Sequence, residues 1–255
     1  MPLELVTLPA LSDNYTFLLH DSDTGETAVI DVPDADPIDA ELSARGWTLS
    51  AIWLTHHHDD HIQGVEKLLS KHPARVTGAL ADKHRLPPLD RSVSDGDSFD
   101  FAGHEVQVMD VSGHTVGHIA LYVPDAKTVF TADSLMALGC GRLFEGTAEQ
   151  MWDSLSRLAA LPADTAVCSG HEYTAANAKF ALTIDPDNAA LISRAEAVSR
   201  ARDENRPTVP SLLSEELATN PFLRASDQHV KDGLGLSQSP DAAVFAEIRK
   251  RKDAF

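Results

Sequence analysis

Short apolar runs of two kinds succeed one another along the chain. Alternating or β-branched runs, YTFLL (15–19), TAVIDV (27–32), AIWLT (51–55), VQVMDV (106–111), IALYV (119–123), TVFTAD (128–133) and AVCSG (166–170), read as strands. Between them lie helical stretches at Asp36–Arg45, at Ile62–Lys71 with Val65, Leu68 and Leu69 on one face, and at Thr147–Leu161, which opens on the capping pair Thr147 and Gln150. Alternation of this kind predicts sheet and helix layers packed on one another. After Tyr173 the strand signal stops. Helical patterns follow at 174–184, 187–205, 213–219 and 240–250, punctuated by Pro186, Pro207, Pro210, Pro221 and Pro240. The expected division is an α/β domain over 1–173 and a helical domain over 174–255.

Composition narrows the partners. No apolar run in the 255 residues approaches the roughly 20 needed to span a bilayer. The start carries Glu4, Pro9 and Asp13 and no basic leader, so a signal peptide is not expected and the cytoplasm is the expected compartment. Cys140 and Cys168 stand far apart without C-x-x-C spacing and read as reduced, buried thiols. Against 21 Lys and Arg stand 39 Asp and Glu, a net charge of -18 that repels phosphate backbones. Neither nucleic acid nor a membrane is an expected partner, and a monomer is the expected assembly. An anionic ligand would need a local basic cluster.

The chemistry concentrates at Thr55–His61, which reads T-H-H-H-D-D-H between an apolar strand and an apolar helix. Residues two apart in extended chain point the same way, so His56 and His58 can face one ion while His57 turns aside. Asp60 and His61 fall where strand gives way to helix and supply a second pair; Asp59 is a spacer. His114, Asp133 and His171 arrive at the ends of three other strands. Five imidazoles and two carboxylates are too many for one tetrahedral zinc and suit two ions sharing a bridge. Asp133, arriving alone with two oxygens, is the expected bridge; His56, His58 and His114 would serve one ion, and Asp60, His61 and His171 the other. Without a thiolate, the set suits zinc, iron or manganese, with zinc the first expectation. His118, four residues beyond His114, is either a group that orients a ligand or a plain buried histidine. The polar contexts of His20, His72, His84, His104 and His229 place them in solvent.

T-H-x-H-x-D-H, with GHTVGH at 113–118, the lone Asp of FTAD and the late Gly-His at 170–171, resembles the metallo-β-lactamase superfamily. The resemblance implies an α/β fold, an αβ/βα sandwich with metals at one edge, here followed by a C-terminal helical domain. SDNY (12–15), GCGRLFEGT (139–147), SGHEYT (169–174), PTVPSLLSEELATNPFLR (207–224) and RKRKD (249–253) resemble, more narrowly, the hydroxyacylglutathione hydrolases, or glyoxalase II, over nearly the whole chain. Implied with it are a glutathione thioester substrate, typically S-D-lactoylglutathione cleaved to D-lactate and glutathione in methylglyoxal detoxification, and a hydroxide bridging two ions as nucleophile, oriented by Asp60. The family's glutathione contacts fall on Arg142, Tyr173, Arg249 and Lys252. Two positions depart from it: Arg142 stands where Lys is common, and Phe144 where Tyr is common, which removes one hydrogen bond. On the residues alone, the basic run at 249–252 would simply complement a helix dipole. A persulfide dioxygenase, another hydrolase of the same fold and a non-catalytic metal binder are the competing readings.

Overall fold

The computed structural model describes residues 3–255. Its chain forms two compact units, Met1–Asp110 with Val116–Thr131, and Val111–Thr115 with Ala132–Phe255.

The first unit opens with β1 (Leu3–Ala10), β2 (Asn14–Asp21), β3 (Glu26–Ile30), α1 (Ala35–Arg45), β4 (Thr48–Trp53), α2 (Asp59–Ile62), α3 (Val65–Leu69), β5 (Arg75–Ala79) and β6 (Arg91–Val93). The six strands form one sheet in chain order, antiparallel through β3 and parallel from β3 to β6. β7 (Ser98–Phe101), β8 (His104–Asp110), β9 (Ile119–Val123) and β10 (Thr128–Ala132) follow as an antiparallel run ordered β10-β9-β8-β7. Aromatic rings fill the space between the two sheets: Trp53 on β4 meets Phe99 and Phe101 of β7 edge-on at 5.6 and 5.2 Å, and Phe17 of β2 lies 5.9 Å from Phe130 of β10. The opposite face of the first sheet buries Leu18, Val29 and Ile52 against Ile38 and Leu42 of α1 and Val65 and Leu68 of α3. Each such side chain contributes about 1.5–3 kcal/mol by leaving water. Helix, sheet and sheet are thus layered.

The helix expected over Ile62–Lys71 is broken into α2 and α3 at Gln63 and Gly64. Val32 donates its N–H to His61 O at 2.7 Å, and Gly64 donates to Val32 O at 2.9 Å. A Cβ on Gly64 would lie 2.8 Å from Val32 Cγ1 and 2.9 Å from Ala35 N, so only glycine allows this docking. Three histidines expected in solvent are also held by neighbours. His20 stacks on Trp47 at 3.9 Å and meets Thr27 Oγ1 at 2.9 Å, His72 pairs with Asp39 at 2.8 Å, and His104 lies between Asp125 and Asp21 at 2.7 and 3.2 Å. Carboxylates and an indole contributed by remote segments supply those partners.

The second unit comprises the hairpin of β11 (Leu135–Met136) and β12 (Gly139–Cys140), α4 (Ala148–Ala159), β13 (Ala166–Ser169), α5 (Thr174–Ile184), α6 (Ala189–Asp203), β14 (Ser211–Leu212), α7 (Leu213–Thr219), α8 (Gln228–Leu234) and α9 (Asp241–Asp253). β13 and β14 pair antiparallel. Thr147 caps α4 as its sequence predicts, accepting from Gln150 N while Gln150 Oε1 accepts from Thr147 N. Leu155 and Leu158 of that helix are buried, and Trp152 lies 6.2 Å from Phe245 of α9. The β11–β12 turn is gripped by buried polar side chains: Asn220 donates to Met136 O and Gly139 O, Asn177 donates to Ala137 O, and Glu216 accepts from Leu138 N. Those bonds fix the loop that leads into Gly141 and Arg142. Both cysteines are buried thiols outside any disulfide; burial pushes the Cys140 thiol up to about 11, and Cys168 well above its ordinary value.

Candidate metal centre

In the first unit the ligand segment hangs from a carboxylate. Asp31, just beyond β3 and 3% exposed, accepts from Thr55 N at 2.8 Å through Oδ1, and from Thr55 Oγ1 at 2.8 Å and His61 Nδ1 at 2.7 Å through Oδ2. Its φ of 57° lies in the left-handed region that a non-glycine residue rarely adopts. The donor roles follow in sequence. Thr55 gives its proton to Asp31, so at 3.0 Å from His56 Nδ1 its oxygen accepts, and the ring presents Nε2. His61 gives Nδ1–H to Asp31 and also presents Nε2. His58 Nδ1 stands 3.2 Å from His56 Nε2, and Asp60 Oδ2 stands 3.9 Å from His61 Nε2. Asp31, His56 and His61 cluster within ligand range, but three donors on Asp31 make it the anchor of the segment rather than a ligand. His57 turns away to Asp82 at 2.8 Å, and Asp59 is exposed. His118 is fully buried, with its ring stacked 4.5 Å from that of His56 and Nδ1 3.2 Å from Ile119 O.

The second unit carries the other three candidates. Asp133 Oδ2 lies 3.4 Å from Nε2 of both His114 and His171. His114 donates Nδ1–H to Arg142 O at 2.8 Å, which turns its Nε2 toward Asp133. Gly141 is wedged behind them, where a Cβ would sit 2.0 Å from Asp133 O and 2.9 Å from His114 Nδ1. Tyr173 stacks on His171 at 4.7 Å, and Phe144, 63% exposed, meets His114 edge-on at 5.2 Å. Arg249 is buried, donating to Cys140 O at 3.0 Å and lying over the Phe222 ring. Lys252 lies between Phe180 and Phe255, and its pKa is lowered by burial and then by the charges of Arg249 and Arg142. Asp253 pairs with Arg249 at 2.8 Å and answers part of the positive charge gathered there with Arg142 and Lys252.

Two donors about 2.1 Å from one tetrahedral ion stand about 3.4 Å apart. The Asp133 contacts at 3.4 Å and the His56–His58 contact at 3.2 Å fit that spacing. Three of the imidazoles have Nδ1 fixed by an oxygen, the support that metal-binding histidines commonly receive. These His and Asp clusters are consistent with a binuclear metal site of nitrogen and oxygen donors. Sequence reasoning missed Asp31, Thr55 and Asn14 as supports. Asn14, in SDNY, donates Nδ2 to both Asp60 O and Asp60 Oδ2. A polar residue beside a strand end signals no such role until the remote segment it holds is in place.

Residues 11–171 match the model of the metallo-beta-lactamase superfamily, a span that contains all seven candidate ligands. The chain has that superfamily's fold, two mixed sheets followed by a helical domain. Residues 172–255 match the model of the hydroxyacylglutathione hydrolase C-terminus. The hydroxyacylglutathione hydrolase of Roseobacter denitrificans is 66% identical and that of Ruegeria pomeroyi 64% identical, each over the full length of both chains. The chain belongs to the hydroxyacylglutathione hydrolase family, the thioester hydrolases also called glyoxalase II. Among solved structures, ETHE1 from Myxococcus xanthus superposes with a TM-score of 0.68 at 26% identity, covering 98% of this chain and 90% of that one. Among the described residues, no helix is long and apolar enough to cross a membrane.

Proposed function

We propose that the chain hydrolyses S-D-lactoylglutathione to D-lactate and glutathione, in methylglyoxal detoxification, with two divalent ions held by its seven His and Asp side chains. His56, His58 and His114 would hold one ion and Asp60, His61 and His171 the other, with Asp133 serving both. When bound, such ions, zinc before iron or manganese, would supply Lewis acidity for the thioester carbonyl and for a water that loses a proton near neutral pH. The protein's own groups do the rest. Asp60, half-exposed and fixed by Asn14, accepts a hydrogen bond from the attacking water and aims it. Arg142, Arg249 and Lys252 bind the carboxylates of glutathione, and the Tyr173 hydroxyl meets its peptide. The water oxygen bonds to the acyl carbon, the C–S bond breaks, and the sulfur departs as a thiolate that takes up a proton.

The observation that carries this reading is the single Asp133 oxygen equidistant from two imidazole nitrogens in the unit that also gathers the three cations. The proposal assigns catalysis to 1–173 and substrate binding to 174–255, and takes the working form as a cytoplasmic monomer, to be checked by sedimentation and cell fractionation. The activity is tested by following thioester absorbance and D-lactate release with S-D-lactoylglutathione. Turnover by protein loaded with two ions is expected; none would overturn the reading.

A further inference from the structure

We infer that Asn14 is a positioning residue that locks the Asp60 carboxylate into the orientation in which it can share an ion with His61. The inference rests on the reading of Asp60 as a ligand. Asn14 opens β2 at 4% exposure, and its Nδ2 donates to Asp60 O at 3.1 Å and to Asp60 Oδ2 at 3.0 Å. The amide's orientation is forced, because both atoms it faces accept and neither donates; reversed, the amide oxygen would confront a carbonyl and a carboxylate. One NH2 group thus spans the main chain and the side chain of the same residue, which ties the Asp60 carboxylate to its own backbone and selects one rotamer.

Asp60 needs such a tether. Its side chain is 41% exposed, it sits in the four-residue helix α2, and the N-cap of that helix, His58, makes no side-chain capping bond. Untethered, the carboxylate would sample solvent-facing rotamers and lose the 3.9 Å placement beside His61 Nε2. His61 itself is already locked by Asp31, so Asn14 fixes the more mobile member of the pair. An amide donor on one oxygen still leaves lone pairs for a cation, since each carboxylate oxygen carries two.

The test compares Asn14→Ala, which removes the donor, with Asn14→Asp, which keeps the shape but turns donor into acceptor. Ion release from the two-ion protein is followed against a chelator, alongside kcat, KM and the melting temperature of the metal-free protein. Both variants should lose one ion at about 10- to 100-fold weaker chelation. Their kcat should fall while KM and the metal-free melting temperature hold, and Asn14→Asp should do no better than Asn14→Ala. Wild-type ion release in either variant would overturn the inference. So would recovery in Asn14→Asp, which would reduce Asn14 to a space-filling role, or a lower melting temperature with no change in ion release. Asp60→Asn separates the two levels. If it keeps both ions at wild-type affinity, the reading of Asp60 as a ligand falls; if it loses one while the Asn14 variants do not, this inference alone falls.

Discussion

Replacing Asp31 by asparagine exchanges one carboxylate oxygen for an NH2 group and should disable the ligand segment. The carboxylate faces three donors, Thr55 N on one oxygen and Thr55 Oγ1 and His61 Nδ1 on the other. An amide has one oxygen to offer them. If that oxygen stays toward His61, the new NH2 confronts the Thr55 backbone N–H, which cannot move, and a buried donor is left without an acceptor at a cost of about 1–3 kcal/mol. For a chain of this length that lowers the melting temperature by about 2–4 °C per kcal/mol. If the amide flips, its NH2 faces His61 Nδ1, which must become the acceptor; the ring proton then moves to Nε2 and removes the nitrogen proposed to bind metal. The stable outcome is therefore either a less stable fold or a His61 in the wrong tautomer, with one ion bound about 10- to 100-fold more weakly. Calorimetry combined with chelator competition reads both. Asp31→Asn protein with wild-type melting temperature and wild-type affinity for both ions would refute the account of Asp31 as the anchor.

Other expectations are independent of that anchor. Gly141→Ala places a Cβ 2.0 Å from Asp133 O, so it should cost at least about 1–3 kcal/mol by overpacking and depress turnover; a fully active, equally stable variant would show that the loop yields freely. Phe144→Tyr should restore one hydrogen bond to glutathione, about 0.5–1.5 kcal/mol, and lower KM about two- to tenfold with kcat unchanged in steady-state assays. His104 is raised above its ordinary value by its bond to Asp125, opposed by burial and aided by Asp21. Because its folded pKa exceeds the unfolded one, its contribution to stability is complete below about pH 6.5 and is lost as pH rises through the folded value. The melting-temperature gap between wild type and His104→Ala should therefore be wider at pH 6 than at pH 9, and an equal gap would contradict the pairing.

What the sequence revealed depended on how local the cause was. IALYV at 119–123 and the helices at 174–184 and 213–219 coincide with their expected bounds, as their apolar runs and flanking prolines act within a few residues. The capping of α4 was legible for the same reason. β5, β6 and β7 escaped notice: each is five residues or fewer, and polar residues such as Thr77, Ser92 and Asp100 interrupt their apolar pattern. The break at Gly64 also lay outside local reach, since it exists to let the backbone meet Val32, about thirty positions earlier. At the site, ligand types and spacing could be read from the motif, whereas the groups that orient them could not. Asp31 and Asn14 look like ordinary polar residues beside strands, and only the fold brings His61 and Asp60 to them.

The shared ion pair is the central claim, and metal stoichiometry in Asp133→Ala tests it most directly. Elemental analysis after gel filtration, paired with the thioester assay, should give two ions per chain and turnover for the wild type. The variant should hold at most one ion and lose turnover, because both ions lose the oxygen proposed to join them. Asp133→Ala protein that keeps two tightly bound ions and full activity would contradict the account.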